Sequence, residues 1–267
     1  MDALAAIDTW GARTAAAGVV GAAEAVHGPR DAVLRWASVT KVVTGLAALV
    51  AVEEGTVDLD EPAGPEGSTL RHLLAHASGL AAEEGPPLMP PERRRVYSNY
   101  GIELAAVLVA ERAGMTFAEY LQAAVLDPLG MAGALSGSPA WGYRGSLDDL
   151  LALARELLAP TLVAKETLDE ACTVQFPGLA GVLPGWGRME PNDWGLAFEL
   201  RDAKSPHWTG TLASPRTFGH FGAAGTFLWV DPDAGIACAL LTDREFGDWA
   251  KEAWPPFSDA VSAAGTE

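Results

Sequence analysis

The sequence predicts a mixed α+β fold: one antiparallel sheet built from both ends of the chain, with helices packed on it and an all-helical lobe inserted between its halves. Three observations point there. Strand-like runs occur near the start and again after residue 194, helical patterns dominate between them, and a long helix that is apolar on every face follows the first strands.

Residues 2–16 read as a first helix, with Leu4, Ala5, Trp10 and Ala15 around it. Residues 18–26 and 32–36 read as two short strands joined at His27-Gly28-Pro29-Arg30, a turn by composition. A buried helix is expected over 39–54, stopping near Gly55. The acidic, Pro- and Gly-rich stretch 58–67 marks a lobe boundary. Helices are then expected from Ser68 to about Ser78-Gly79, and over 99–113, closed by Gly114. Thr116-Phe117-Ala118-Glu119 is a capping box, and Ser146-Leu147-Asp148-Asp149 a weaker one with Asp in place of Glu. Residues 81–91 form a proline-rich loop, and Arg93-Arg94-Arg95 after it reads as a solvated face. Strands are expected at 195–200, 218–221, 226–230 and 236–242, the last two joined by a tight hairpin at Asp231-Pro232-Asp233-Ala234-Gly235. A closing helix covers 246–254. Residues 1–56 with 194–267 would then form the sheet lobe and 57–193 the inserted helical lobe, with the active site between them.

Of the 267 residues, 49% are hydrophobic, enough for a large core. The formal charge of −17 repels phosphate backbones and argues against a nucleic-acid partner. No apolar run is long enough to span a bilayer. Met1-Asp2-Ala3-Leu4 lacks the basic segment and apolar core of a secretory signal, so a cytoplasmic location is expected unless a leader has been removed. Cys172 and Cys238 define neither a disulfide framework nor a metal site, and Cys238 reads as a small core residue. His72 and His76 stand at i, i+4 on a helix, but no third ligand accompanies them; no metal and no cofactor is expected.

The most informative residue is Lys41, three positions after Ser38 at the head of the apolar helix. Burial disfavours an ammonium and lowers its pKa, so such a lysine can accept a proton near neutral pH. Ser38, one turn earlier on the same face, is the hydroxyl best placed to supply it. Taken alone, the pair leaves catalysis and a snorkelling structural lysine equally open. Tyr97-Ser98-Asn99 ends the proline-rich loop. A tyrosine there can relay protons if cations depress its pKa, and Asn99 can cap the helix or hold a substrate carbonyl. Glycines in Gly219-His220-Phe221-Gly222-Ala223-Ala224-Gly225 mark either a bulge or a place where another backbone or a ligand comes close.

Ser-x-x-Lys, then Tyr-Ser-Asn, then His-x-Gly, in that order, resembles the three-motif signature of the serine hydrolases related to class C β-lactamases and DD-peptidases, a superfamily that includes family VIII-type esterases and D-amino-acid amidases. Leu70-Arg71-His72-Leu73-Leu74-Ala75-His76-Ala77-Ser78-Gly79-Leu80 and Asp127-Pro128-Leu129-Gly130-Met131 are similar to recurring segments of the superfamily, and the resemblance runs over residues 33–242. It implies a β-lactamase/transpeptidase-like fold, with Ser38 as the acylated nucleophile, Lys41 as its base and Tyr97 as the second proton carrier. It further implies substrate contacts at Asn99, His220, Gly222 and Ala223, and an oxyanion hole from the N–H groups of Ser38 and Ala223. The third motif reads His-Phe-Gly, where a lysine and a hydroxyl would bind a substrate carboxylate. With the short chain, this favours a small ester or amide as the small-molecule substrate. A β-lactamase or D-peptidase is the alternative, and a non-turnover acyl-binding sensor the alternative of another class.

Overall fold

The computed structural model describes residues 1–265. The chain opens on a 3₁₀ turn, Asp2–Thr9, followed by strands β1 (Ala15–Gly21), β2 (Ala25–His27) and β3 (Leu34–Arg35). A second 3₁₀ turn, Ala37–Val39, leads into helix α1 (Thr40–Glu53). Helices α2 (Leu70–Leu74), α3 (Asn99–Ala113), α4 (Phe117–Leu121) and α5 (Asp127–Leu129) come next. Strands β4 (Ala134–Leu135) and β5 (Tyr143–Gly145) precede helices α6 (Leu147–Leu158) and α7 (Lys165–Ala171). Strands β6 (Gly181–Leu183), β7 (Gly187–Met189), β8 (Glu199–Leu200), β9 (Phe218–Gly222), β10 (Thr226–Asp231) and β11 (Ile236–Thr242) are closed by helix α8 (Asp248–Gly265).

The main sheet has the order β2-β1-β11-β10-β9-β8, with its neighbours antiparallel, so the two ends of the chain do meet in one sheet. Side chains alternate between its faces, as a pleated strand requires. Ala16, Val20, Ala237, Ala239 and Leu241 join the core shared with α1 and α6. Ala17, Val19, Ile236, Cys238 and Leu240 join a second core, under α8 and the first 3₁₀ turn. Helix α1 lies inside the first core with every residue from Thr40 to Ala51 buried, as its uniform apolarity demands. The boxes at Thr116 and Ser146 both form. No helix among the described residues is long and apolar enough to cross a membrane.

Several local expectations are corrected. The first helix is a short 3₁₀ turn, and residues 15–16 belong to β1. Alanine favours helix, but here seven consecutive pairs with β11 outweigh that preference. The turn between the first strands falls at residues 22–24 rather than 27–30. Helix α2 stops at Leu74, because the chain turns at His76 with φ +56°. The 195–200 strand shrinks to β8, since Ala197 takes φ +62°. The segment 57–193 is not all helical: β5 pairs with β3 and β4, and β6 with β7. Strands of two or three residues carry no readable periodicity. Helix α8 runs through Pro255 and Pro256 because Trp254, Phe257 and Val261 are sunk in the second core. Arg95 is buried, not solvated: its guanidinium donates to the carbonyls of Ala75, Gln175, Phe176 and Asn192.

Candidate active site

The turn Ala37–Val39 delivers Ser38 to the start of α1, with Ala37 held at φ +46°. The N–H of Trp36 bonds to the carbonyl of Tyr143 at 3.0 Å, which fixes the approach to the turn. Strand β9 runs beside it. A Cβ on Gly222 would stand 2.3 Å from the Trp36 carbonyl oxygen and 3.1 Å from the Ser38 nitrogen, so only glycine allows this close approach.

Lys41 is wholly buried, and its Nζ lies 2.7 Å from Asn99 Oδ1, 2.9 Å from the Ala140 carbonyl oxygen and 3.3 Å from Ser38 Oγ. Burial lowers its pKa to about 7, against the opposing pull of Glu103 and Glu83. A neutral amine has two N–H donors and one lone pair. Asn99 and Ala140 can take the donors, leaving the lone pair for the Ser38 hydroxyl. Tyr97 donates to Ser38 Oγ at 2.8 Å. Its phenol is not made acidic by nearby cations: burial pushes its pKa up, and the Ser38 bond only partly offsets this. Tyr97 is therefore a neutral phenol at neutral pH, and the condition that cations depress its pKa is not met.

His220 is buried, and its Nδ1 lies 2.6 Å from the Phe221 carbonyl oxygen. A carbonyl accepts, so Nδ1 carries the proton and Nε2, 3.5 Å from Tyr97 Oη, is left unprotonated. Burial and then the Lys41 charge lower the His220 pKa to about 3, so His220 offers no cation to the site at neutral pH. Asn99 is the first residue of α3 and not its cap: Ser98 Oγ accepts the Gly101 N–H at 2.9 Å. The Asn99 amide is free for the site, bonding Lys41 through Oδ1 and donating to Glu83 through Nδ2.

The sequence placed His72 and His76 together as an improbable metal pair, and the structure separates them. His72 bonds Thr69 and Glu92 and stacks on Phe176. His76 lies beyond the helix end and brackets Tyr97. Its carbonyl accepts the Val96 N–H, its Nδ1 accepts the Ser98 N–H, and its ring packs 4.7 Å from both Tyr97 and Trp194. Burial, with the neighbouring charges of Lys41 and Arg95, holds its pKa well below the usual imidazole value. The position of His76 next to a backbone reversal could not be read from spacing. Among the described residues no group of three or more His, Cys, Asp or Glu side chains could hold a metal ion.

Two clefts meet at Ser38 and Ala223. One, of about 340 Å³, is walled by Tyr97, Trp194, Phe221, Phe246 and Leu183. The other, of about 520 Å³, is lined by Asn99, Trp141, Arg35 and Arg144. A nucleophile at the junction can react with a carbonyl whose two substituents occupy different clefts.

This architecture is that of the serine hydrolases of the β-lactamase type. The sequence matches the beta-lactamase family over residues 2–260, and the chain belongs to that family. Its fold is similar to that of a beta-lactamase from Mycobacterium bovis, with 51% identity, a TM-score of 0.97 and coverage of 99% of this chain and 100% of that one. Unliganded simvastatin synthase (LovD) from Aspergillus terreus is alike in fold at 17% identity and a TM-score of 0.81, over 97% of this chain and 96% of that one. Penicillin-binding protein 4* of Bacillus subtilis (strain 168) is 25% identical over 134 residues, a match that spans 38% of this chain and 30% of that protein.

Proposed function

We propose that the protein hydrolyses a small ester or amide through an acyl-enzyme on Ser38. The observation that carries this reading is the continuous hydrogen-bonded chain Tyr97–Ser38–Lys41–Asn99, with a lysine whose pKa lies at about 7. Neutral Lys41 takes the Ser38 proton as Oγ attacks the substrate carbonyl carbon. Developing negative charge on the carbonyl oxygen is met by the N–H groups of Ser38 and Ala223. Tyr97 protonates the leaving group and is reprotonated from Lys41. Water then attacks the acyl carbon, giving its proton to neutral Lys41; the Ser38 Oγ–acyl bond breaks, Oγ takes that proton back, and the acid is released. Asn99, His220 and Gly222 complete the contacts with substrate, and no cofactor takes part. The site lies between the sheet lobe, residues 1–56 with 194–267, and the segment 57–193.

Because His220 is neutral and Phe221 has no hydroxyl, the third motif offers no charge-assisted bond to a carboxylate. That favours neutral esters over β-lactams whose carboxylate must be held there. The 51% identity with the Mycobacterium bovis beta-lactamase favours β-lactam hydrolysis as the second reading. An active-site phosphonate probe is expected to add one adduct on the peptide containing Ser38, and none in Ser38→Ala. With p-nitrophenyl butyrate and a chromogenic cephalosporin in one buffer, kcat/KM is expected to favour the ester; the reverse order would install the second reading. Labelling without turnover would leave an acyl-binding sensor.

A further inference from the structure

The cleft on the Asn99 side carries a feature that the three motifs do not use. Arg35 and Arg144 face each other as direct partners of the antiparallel pair β3–β5. Directly opposed residues have Cβ atoms about 5 Å apart on the same face, and like charges so placed repel. The backbone cannot separate them, since the Arg35 carbonyl accepts from Thr226 Oγ1 at 3.2 Å and Trp36 is bonded to Tyr143. Nearby acids do not neutralise the pair. Among the described residues the Arg35 side chain pairs only with Glu245, at 3.9 Å between side chains 57% and 78% exposed, a geometry worth little in water. Asp243, in the adjoining groove, is taken by Arg13 and the Arg13 and Thr14 N–H groups. The Arg144 side chain has no ion pair or hydrogen bond among the described residues. This happens on a protein of net charge −17, and both arginines line the same cleft as Ser38. Trp141, half exposed, lines the same cleft and offers an apolar face to a short methylene chain.

The geometry points to a carboxylate-binding subsite: the acyl group transferred to Ser38 ends in a carboxylate held by Arg35 and Arg144, its methylenes lying along Trp141. The substrate class is thus a monoester or monoamide of a dicarboxylic acid. This deepens the hydrolase reading and rests on it. It does not conflict with the preference against anionic β-lactams, because the third motif lies on the opposite side of Ser38.

The test compares mono-p-nitrophenyl adipate with p-nitrophenyl hexanoate, which share a leaving group and a six-carbon acyl chain and differ in the terminal carboxylate. In the wild-type protein kcat/KM should be higher for the adipate ester. The adipate/hexanoate ratio should fall about 10-fold or more in Arg35→Gln/Arg144→Gln, the loss expected for charge-assisted bonds. It should also fall as salt is raised to 0.5 M, roughly, since exposed charges are screened. Arg216→Gln, which removes a positive charge outside the cleft, should leave the ratio as it is. A ratio in the double variant within about twofold of wild type overturns the subsite. If neither ester acylates Ser38, the hydrolase reading itself fails, an outcome distinct from hydrolysis without carboxylate preference.

Discussion

At the scale of single residues the chemistry turns on one proton. In the proposed mechanism Lys41 serves as a base only as the free amine, and burial lowers its pKa to about 7. Activity should therefore rise with pH through about 7, as the ammonium deprotonates, and fall away below it. Replacing Lys41 with Arg keeps a cation but removes the base, because a guanidinium does not deprotonate in this range. kcat is expected to drop by about 10²–10⁴-fold in Lys41→Arg and in Tyr97→Phe, with the fold retained by circular dichroism. A wild-type profile that is flat between pH 6 and 8 would remove Lys41 from the role. The pair Ser38–Lys41 was legible because a lysine in an apolar helix is an anomaly that composition exposes. Tyr97 and Asn99 were legible as a motif, but the direction of the tyrosine shift was not, since it depends on how deeply the ring is enclosed. His76 and the Ala140 carbonyl act through backbone geometry, at a residue with φ +56° and in a loop, where side-chain patterns carry no signal. Arg95 read as surface because its partners are four carbonyls distant in sequence.

At the scale of elements, α1 must sit close to the segment that follows Trp194. Gly45, inside α1, faces Ala197, and a Cβ on Gly45 would stand 2.5 Å from the Ala197 Cβ. Helix propensity alone says that Gly45→Ala stabilises by about 1 kcal/mol. The contact reverses the sign: an overpacked methyl is expected to cost about 1–3 kcal/mol, read as a lower urea midpoint at constant slope. Ala197 itself is held at φ +62° by a bond from its N–H to the Leu74 carbonyl, a conformation that suits glycine better. Gly45→Ala combined with Ala197→Gly should recover the loss. A stabilised single variant, or no recovery in the pair, would show that α1 is free to shift. Elements with strong local signals, namely α1, α3 with Gly114 and the β10–β11 hairpin, were read to within a residue or two. Those decided by distant pairing were not: the first two residues of β1 were taken for helix, and Ala197 breaks a strand that its sequence favours.

At the scale of the molecule, the two ends of the chain meet inside the sheet, β1 against β11 over seven residue pairs. Helix α6 comes from the inserted segment yet lies on those same strands. Its buried face, Leu147, Leu150, Leu151, Leu153, Ala154 and Leu157, belongs to the core shared with Ala16, Val20, Ala239 and Leu241. The approach is tight enough that a Cβ on Gly18 of β1 would stand 2.9 Å from Leu151. Residues 57–193 therefore carry a face that the sheet covers, and α1, from outside the segment, packs against α3 in the same core. Each buried leucine contributes about 1.5–3 kcal/mol through that cover, so losing the whole face costs about as much as the roughly 5–15 kcal/mol by which a domain is stable. Expressed alone, residues 57–193 should lack a cooperative thermal transition and bind a hydrophobic dye, while the full chain unfolds in one transition followed identically by fluorescence and circular dichroism. A sharp melt of the isolated segment would make it an independent domain, and the cleft at Ser38 would then be a joint between two bodies rather than a fixed seam.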